Sequence, residues 1–91
     1  MNLKNFYSGK RILVTGHTGF KGAWLCLVLH QMGANVKGIS LPPDDRRGNF
    51  YKILKLKNKV DSSYIDIRNY RKLEQAVKKN RPELVFHLAA Q

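Results

Sequence analysis

The stretch Val14–Trp24 reads VTGHTGFKGAW and sets three glycines three residues apart, at Gly16, Gly19 and Gly22. An apolar run, Ile12–Val14, precedes it, and "FKGAWLCLVLHQMG" follows with helix-compatible residues. The pattern predicts a strand ending at Thr15 and a helix beginning near Phe20, which is the context in which a dinucleotide fingerprint carries meaning. In that setting Gly16 lets the chain turn sharply off the strand. Gly19 lets backbone approach a pyrophosphate with no Cβ in the way, and Gly22 lets the helix pack closely on the sheet. The helix N-terminus adds N–H donors and a partial positive charge. No Gly-Lys-Ser/Thr follows the glycines, which excludes a P-loop.

Outward from the turn, the chain alternates. "ANVKGISL" after Gly33 predicts a second strand, and "PPDDRRGN" a loop. "FYKILKLKN" predicts a short basic helix burying Phe50, Ile53, Leu54 and Leu56. A third strand falls around Tyr64–Ile65. Asn69 caps a helix over "NYRKLEQAVKKN", with Leu73, Ala76 and Val77 as its stripe; Lys78 and Lys79 suit the negative end of its dipole, and Pro82 stops it. "ELVFHLAAQ" predicts a fourth strand. The order β-α-β-α-β-α-β implies an α/β fold: a Rossmann-type parallel sheet, half of a doubly wound domain, in the order 3-2-1-4.

Ninety-one residues allow one small domain, and 43% hydrophobic content argues for a folded chain. The longest apolar run, Ala23–Leu29, is too short to span a bilayer, and the N-terminus has no signal-peptide h-region. A single cysteine, Cys26, suits the cytoplasm. The net charge of +11 raises nucleic acid as a partner. The basic residues are spread from Lys4 to Arg81 without interleaved aromatics, which argues against it.

"TGHTGFKG" resembles the TGxxGxxG motif of the extended short-chain dehydrogenases/reductases. Asp66-Ile67 resembles that family's adenine-contacting pair, and "HLAA", His87–Ala90, its fourth-strand signature. "GHTGFKGAWL" with "VFHLAAQ" is similar to the CDP-glucose 4,6-dehydratases of bacterial sugar-nucleotide (O-antigen) metabolism. The resemblance covers essentially the whole chain and implies a lyase that uses NAD catalytically. Such enzymes convert CDP-glucose to a 4-keto-6-deoxy sugar by oxidation at C4, loss of water across C5 and C6, and reduction at C6. It implies a cofactor site formed by Gly16, His17, Thr18, Gly19, Phe20, Lys21, Gly22, Asp66, Ile67, Leu88, Ala89 and Ala90. It also implies that residues 1–91 are the N-terminal part of the dinucleotide-binding domain of a homo-oligomeric enzyme. The family's catalytic Tyr-x-x-x-Lys pair and its sugar-binding domain then lie beyond Gln91, and these residues alone are inactive. Tyr51 and Lys55 match that spacing, but they precede the fourth strand and are read as a coincidence.

Several residues admit two readings. His17 either donates to a phosphate oxygen or holds the loop. Lys21, a cation in the first turn of a helix, opposes the dipole unless an anion is near. His87 is read as a core histidine with a backbone partner, His30 as a dipole partner, and Cys26 and Trp24 as packing. The end of the second strand, Ser40-Leu41-Pro42-Pro43, lacks the acid that NAD sites usually place there. Asp44 and Asp45 follow the prolines, and Arg46 and Arg47 would suit a 2′-phosphate and NADP. Alternatives to the dehydratase are another NAD(P)-dependent nucleotide-sugar epimerase or reductase, and a non-catalytic nucleotide-binding or nucleic-acid-binding module.

Overall fold

A strand buried on both faces is nearly all apolar, and Arg11–Thr15 (β1) is buried at every position after Arg11. The computed structural model describes residues 3–41 and 54–89, without the side chains of Phe20 and Lys57. A short helix, Leu3–Tyr7 (α1), precedes β1. Then come Phe20–Gln31 (α2), Asn35–Ser40 (β2), a 3-10 turn at Leu56–Asn58, Asp61–Tyr64 (β3), Tyr70–Asn80 (α3) and Leu84–His87 (β4).

All pairings are parallel, in the order β3-β2-β1-β4, as the alternation predicts. The chain steps outward from β1 through β2 to β3, then crosses back to lay β4 on the other side of β1. Register puts Ile12, Val36 and Leu84 in one row and Val14, Gly38 and Phe86 in the next. That face packs against Ala23, Cys26 and Leu29 of α2, and Leu56 and Val60 complete the same core. Burial pushes the Cys26 thiol up to about 12, as packing rather than reactivity requires.

The structure departs from the sequence reading at particular places. The basic helix expected over 50–58 is, among its described residues, only the 3-10 turn. Lys55 enters it at φ 55°, a left-handed conformation no α-helix contains. The buried side expected of it holds, since Leu56 is fully buried. Phe50 and Ile53 lie outside the described residues. β3 ends at Tyr64 because its partner ends there, with Ser40 opposite Tyr64, so Ile65 falls in the loop. Trp24 is not core: it is 42% exposed, because the buried stripe of α2 runs through Ala23, Cys26 and Leu29 and leaves Trp24 and Val28 on another side. α3 is capped as expected, with the Asn69 side chain accepting from the Lys72 N–H at 3.3 Å. His30 is exposed in the last turn of α2, beside the negative end of the dipole.

Candidate functional site

Parallel strands end together, so the loops that follow them converge on one rim of the sheet. Here that rim holds a cavity of about 480 Å³. The turn after β1 supplies Gly16, Thr18 and Gly19; the end of β2 supplies Ser40 and Leu41. The loop after β3 supplies Ile65, Asp66, Ile67 and Arg68, and the segment after β4 supplies Leu88 and Ala89. The cavity lies where the strand order reverses beside β1, the place where open α/β sheets bind ligands.

The turn is held by its backbone. Gly16 sits at φ +77° and donates its N–H to the Ile39 carbonyl at 2.8 Å. A Cβ on it would lie 2.8 Å from the Ala89 nitrogen, so Gly16 admits both the left-handed turn and the close approach of the β4 segment. A Cβ at Gly22 would stand 2.8 Å from the His17 Cα and collide with the Gly16 carbonyl. Gly22 thus lets the helix close on the turn itself, rather than on the sheet. Gly19 differs: its backbone is extended (φ −77°, ψ 171°), and a Cβ there would meet, among the described residues, only the Gly16 oxygen, at an ordinary 3.5 Å. Gly19 is also the N-cap of α2 and has no side chain with which to cap it.

His17 does not face the cavity. It is fully buried, its ring lying over Gly38, where a Cβ would stand 2.6 Å from Nδ1. Nε2 makes a 2.9 Å hydrogen bond with Ser62 Oγ, and the ring stacks on Tyr64 at 6.5 Å between centroids. Of the two readings open in the sequence, this arrangement matches the one in which His17 holds the loop, reaching across β2 to β3. Burial, helped by the Lys37 ammonium and opposed by a bond to the Ile39 backbone, pushes its pKa down to about 4.

Beside it, Thr18 Oγ1 lies 2.8 Å from Ser40 Oγ and 3.0 Å from the Leu41 carbonyl, and Ser40 Oγ lies 2.7 Å from the same carbonyl. Two hydroxyl protons serve these three contacts and tie the turn to the end of β2. The end of β4 is tied likewise. Leu88 donates to the Thr15 carbonyl at 3.0 Å, and Thr15 Oγ1 meets His87 Nδ1 at 2.7 Å. The partner of His87 is therefore a side chain, and His87 is exposed rather than core, because β4 alternates half-buried and exposed residues. Lys21 is exposed in the first turn of α2, outside the cavity wall.

After β3, Asp66 is gripped by Arg68. The Arg68 backbone N–H donates to Oδ1 at 2.9 Å, Nε to Oδ1 and Oδ2 at 3.0 Å each, and Nη2 to Oδ2. Those bonds hold the Asp66 carboxyl down at about 2, and the carboxylate raises the Arg68 guanidinium in turn. Of the residues expected at the site, Gly16, Thr18, Gly19, Asp66, Ile67, Leu88 and Ala89 converge; His17, Lys21 and Gly22 do not reach the wall. Ala90 and the side chain of Phe20 lie outside the described residues, as do Tyr51 and the stretch Asp44–Arg47. Sequence reasoning did not assign Ser40, Leu41, Ile65 or Arg68 to the site. Ser40 and Leu41 left a signal in their place at the end of the second strand, where NAD sites usually carry an acid, and Arg68 in being a cation two residues from an expected acid. Among the described residues no group of three His, Cys, Asp or Glu side chains is arranged to hold a metal, and no helix is long and apolar enough to cross a membrane.

A family model described as GDP-mannose 4,6 dehydratase matches residues 13–91. The chain is 48% identical over 88 residues to a CDP-glucose 4,6-dehydratase of Salmonella typhimurium, a match covering 97% of this chain and 24% of that protein. It is 32% identical over 84 residues to cinnamoyl-CoA reductase 1 of Petunia hybrida, covering 91% and 25%. Among solved structures, an epimerase from Methanothermobacter thermautotrophicus matches with a TM-score of 0.75 at 32% identity, over 97% of this chain and 25% of that one. The chain thus spans about a quarter of the length of the curated relatives it matches.

Proposed function

Because this chain belongs to the GDP-mannose 4,6 dehydratase family, we propose that its cavity holds the adenosine and pyrophosphate of NAD. We propose further that the whole protein is a CDP-glucose 4,6-dehydratase. The observation that carries the cofactor reading is Gly19. Its dihedrals suit any residue, and a Cβ there would meet no atom of the described residues closer than 3.5 Å, so packing among them does not ask for glycine. A pyrophosphate lying on the uncapped start of α2 does.

In this reading the first turn of α2 binds the pyrophosphate, and Lys21 adds a positive charge that the helix dipole otherwise opposes. His17 and Thr18 hold the turn to β2 and β3. Asp66, ionised and acceptor-only, takes a hydrogen bond from the adenine amino group, and Ile65 and Ile67 give the ring apolar walls. Leu88 and Ala89 close the crevice beside Gly16. When bound, NAD supplies hydride exchange with the sugar ring; the residues here bind and orient it. NAD rather than NADP follows from the family resemblance, since Ser40 and Leu41 carry no charge and Asp44–Arg47 lie outside the described residues.

CDP-glucose as substrate rests on the 48% identity to the Salmonella enzyme. The free, buried Cys26 suits a reducing cytoplasm, and the whole enzyme is read as a homo-oligomer. The similarity to cinnamoyl-CoA reductase 1 favours a second reading, in which the same cofactor half serves another NAD(P)-dependent reductase or epimerase. The test is to incubate the protein that carries this chain with CDP-, UDP-, GDP- and dTDP-glucose and follow the sugar by NMR. The dehydratase reading expects a 4-keto-6-deoxy product from CDP-glucose. An epimerised sugar, or turnover only with an added nicotinamide reductant, would support the second reading instead.

A further inference from the structure

We propose that Arg68 is a positioning residue for base recognition: by gripping Asp66 it fixes the direction in which that carboxylate accepts a hydrogen bond from a bound adenine. The inference rests on the dinucleotide reading above. Asp66 and Arg68 both line the cavity, and three Arg68 protons, from N, Nε and Nη2, fall on the one carboxylate. A carboxylate offers about four acceptor sites. Three protons against four sites leave about one for a further donor, and the fork fixes the plane of the carboxylate in which that donor must approach. The Arg68 side chain is 72% exposed, so the fork buries little and its charges are screened by solvent. The loop is in any case closed by its backbone, the Asn69 N–H donating to the Asp66 carbonyl at 2.8 Å.

A single fixed acceptor discriminates by what the base presents. Adenine offers an amino donor at position 6; hypoxanthine offers a carbonyl oxygen there, which a carboxylate repels. The fork therefore predicts selectivity, not affinity alone. An arginine that merely stacked on the base would favour both rings alike, since each has a π face.

The experiment measures the affinities of the parent protein, Arg68→Lys and Arg68→Ala for NAD and for nicotinamide hypoxanthine dinucleotide by titration calorimetry. The parent is expected to prefer NAD by about tenfold or more, the scale of one hydrogen bond to a charged group. Arg68→Lys keeps a cation but loses the planar fork, and both variants are expected to fall to about threefold preference or less. A parental ratio in either variant, or an equal loss of both affinities, overturns the role of Arg68 and leaves dinucleotide binding standing. A parent that binds both dinucleotides equally overturns adenine reading by Asp66. A parent that binds neither overturns the dinucleotide reading and this inference with it.

Discussion

Burial holds the His17 imidazole neutral down to about pH 4, against an ordinary value of 6.5. Between those values the unfolded chain takes up a proton that the folded chain refuses, so acidification favours unfolding. The stability at stake is full above pH 6.5 and falls by about 3 kcal/mol as the pH drops to 4. His17→Gln, which cannot titrate, is expected to flatten urea midpoints over this window; an unchanged slope would assign the acid sensitivity elsewhere. Lys21 supports a test with two opposite signs. A cation in the first turn of α2 costs a few tenths of a kcal/mol without an anion. Lys21→Ala should therefore raise the melting temperature slightly in the absence of NAD, and weaken NAD binding several-fold. Losses in both would show that Lys21 stabilises the fold by some other contact.

At the scale of elements, the junction of β1 and α2 depends on how closely Gly22 lets the helix approach the turn. Gly22→Ala would press a methyl group against backbone atoms that cannot rotate away, the Gly16 carbonyl and the His17 Cα. It is expected to cost about 1–3 kcal/mol, read as a lower midpoint in thermal unfolding; an unchanged midpoint would mean the turn yields freely. The strands and the capped helix α3 were legible because their signals are local: an apolar run ending in Gly16, and Asn69 three residues before the N–H it caps. The 3-10 turn at Leu56–Asn58 was not, because the left-handed Lys55 that precedes it has no signature in a lysine-rich stretch. The end of β3 was not legible either, since it is set by where β2 stops. Nor was the exposure of Trp24, which depends on the angle between the Ala23–Cys26–Leu29 stripe and the sheet.

For the molecule as a whole, parallel order decides what becomes a site. Gly16, Gly19 and Asp66 announce themselves by residue type and position. Ser40 and Leu41 are marked by their place at the end of the second strand, whereas Ile65 and Arg68 join them because four strand ends share one rim, a relation that exists in the sheet and not along the chain. The basic residues behind the net charge of +11 are spread along the sequence from Lys4 to Arg81. A dinucleotide bound at this rim passes over Gly19, and Gly19→Val tests that most directly, because a Cβ there would meet no atom of the described residues closer than 3.5 Å. Titration calorimetry with NAD is expected to show binding to the parent and none to Gly19→Val, with the two proteins alike in circular dichroism and thermal midpoint. Equal affinity in a Gly19→Val protein that folds like the parent would contradict the account.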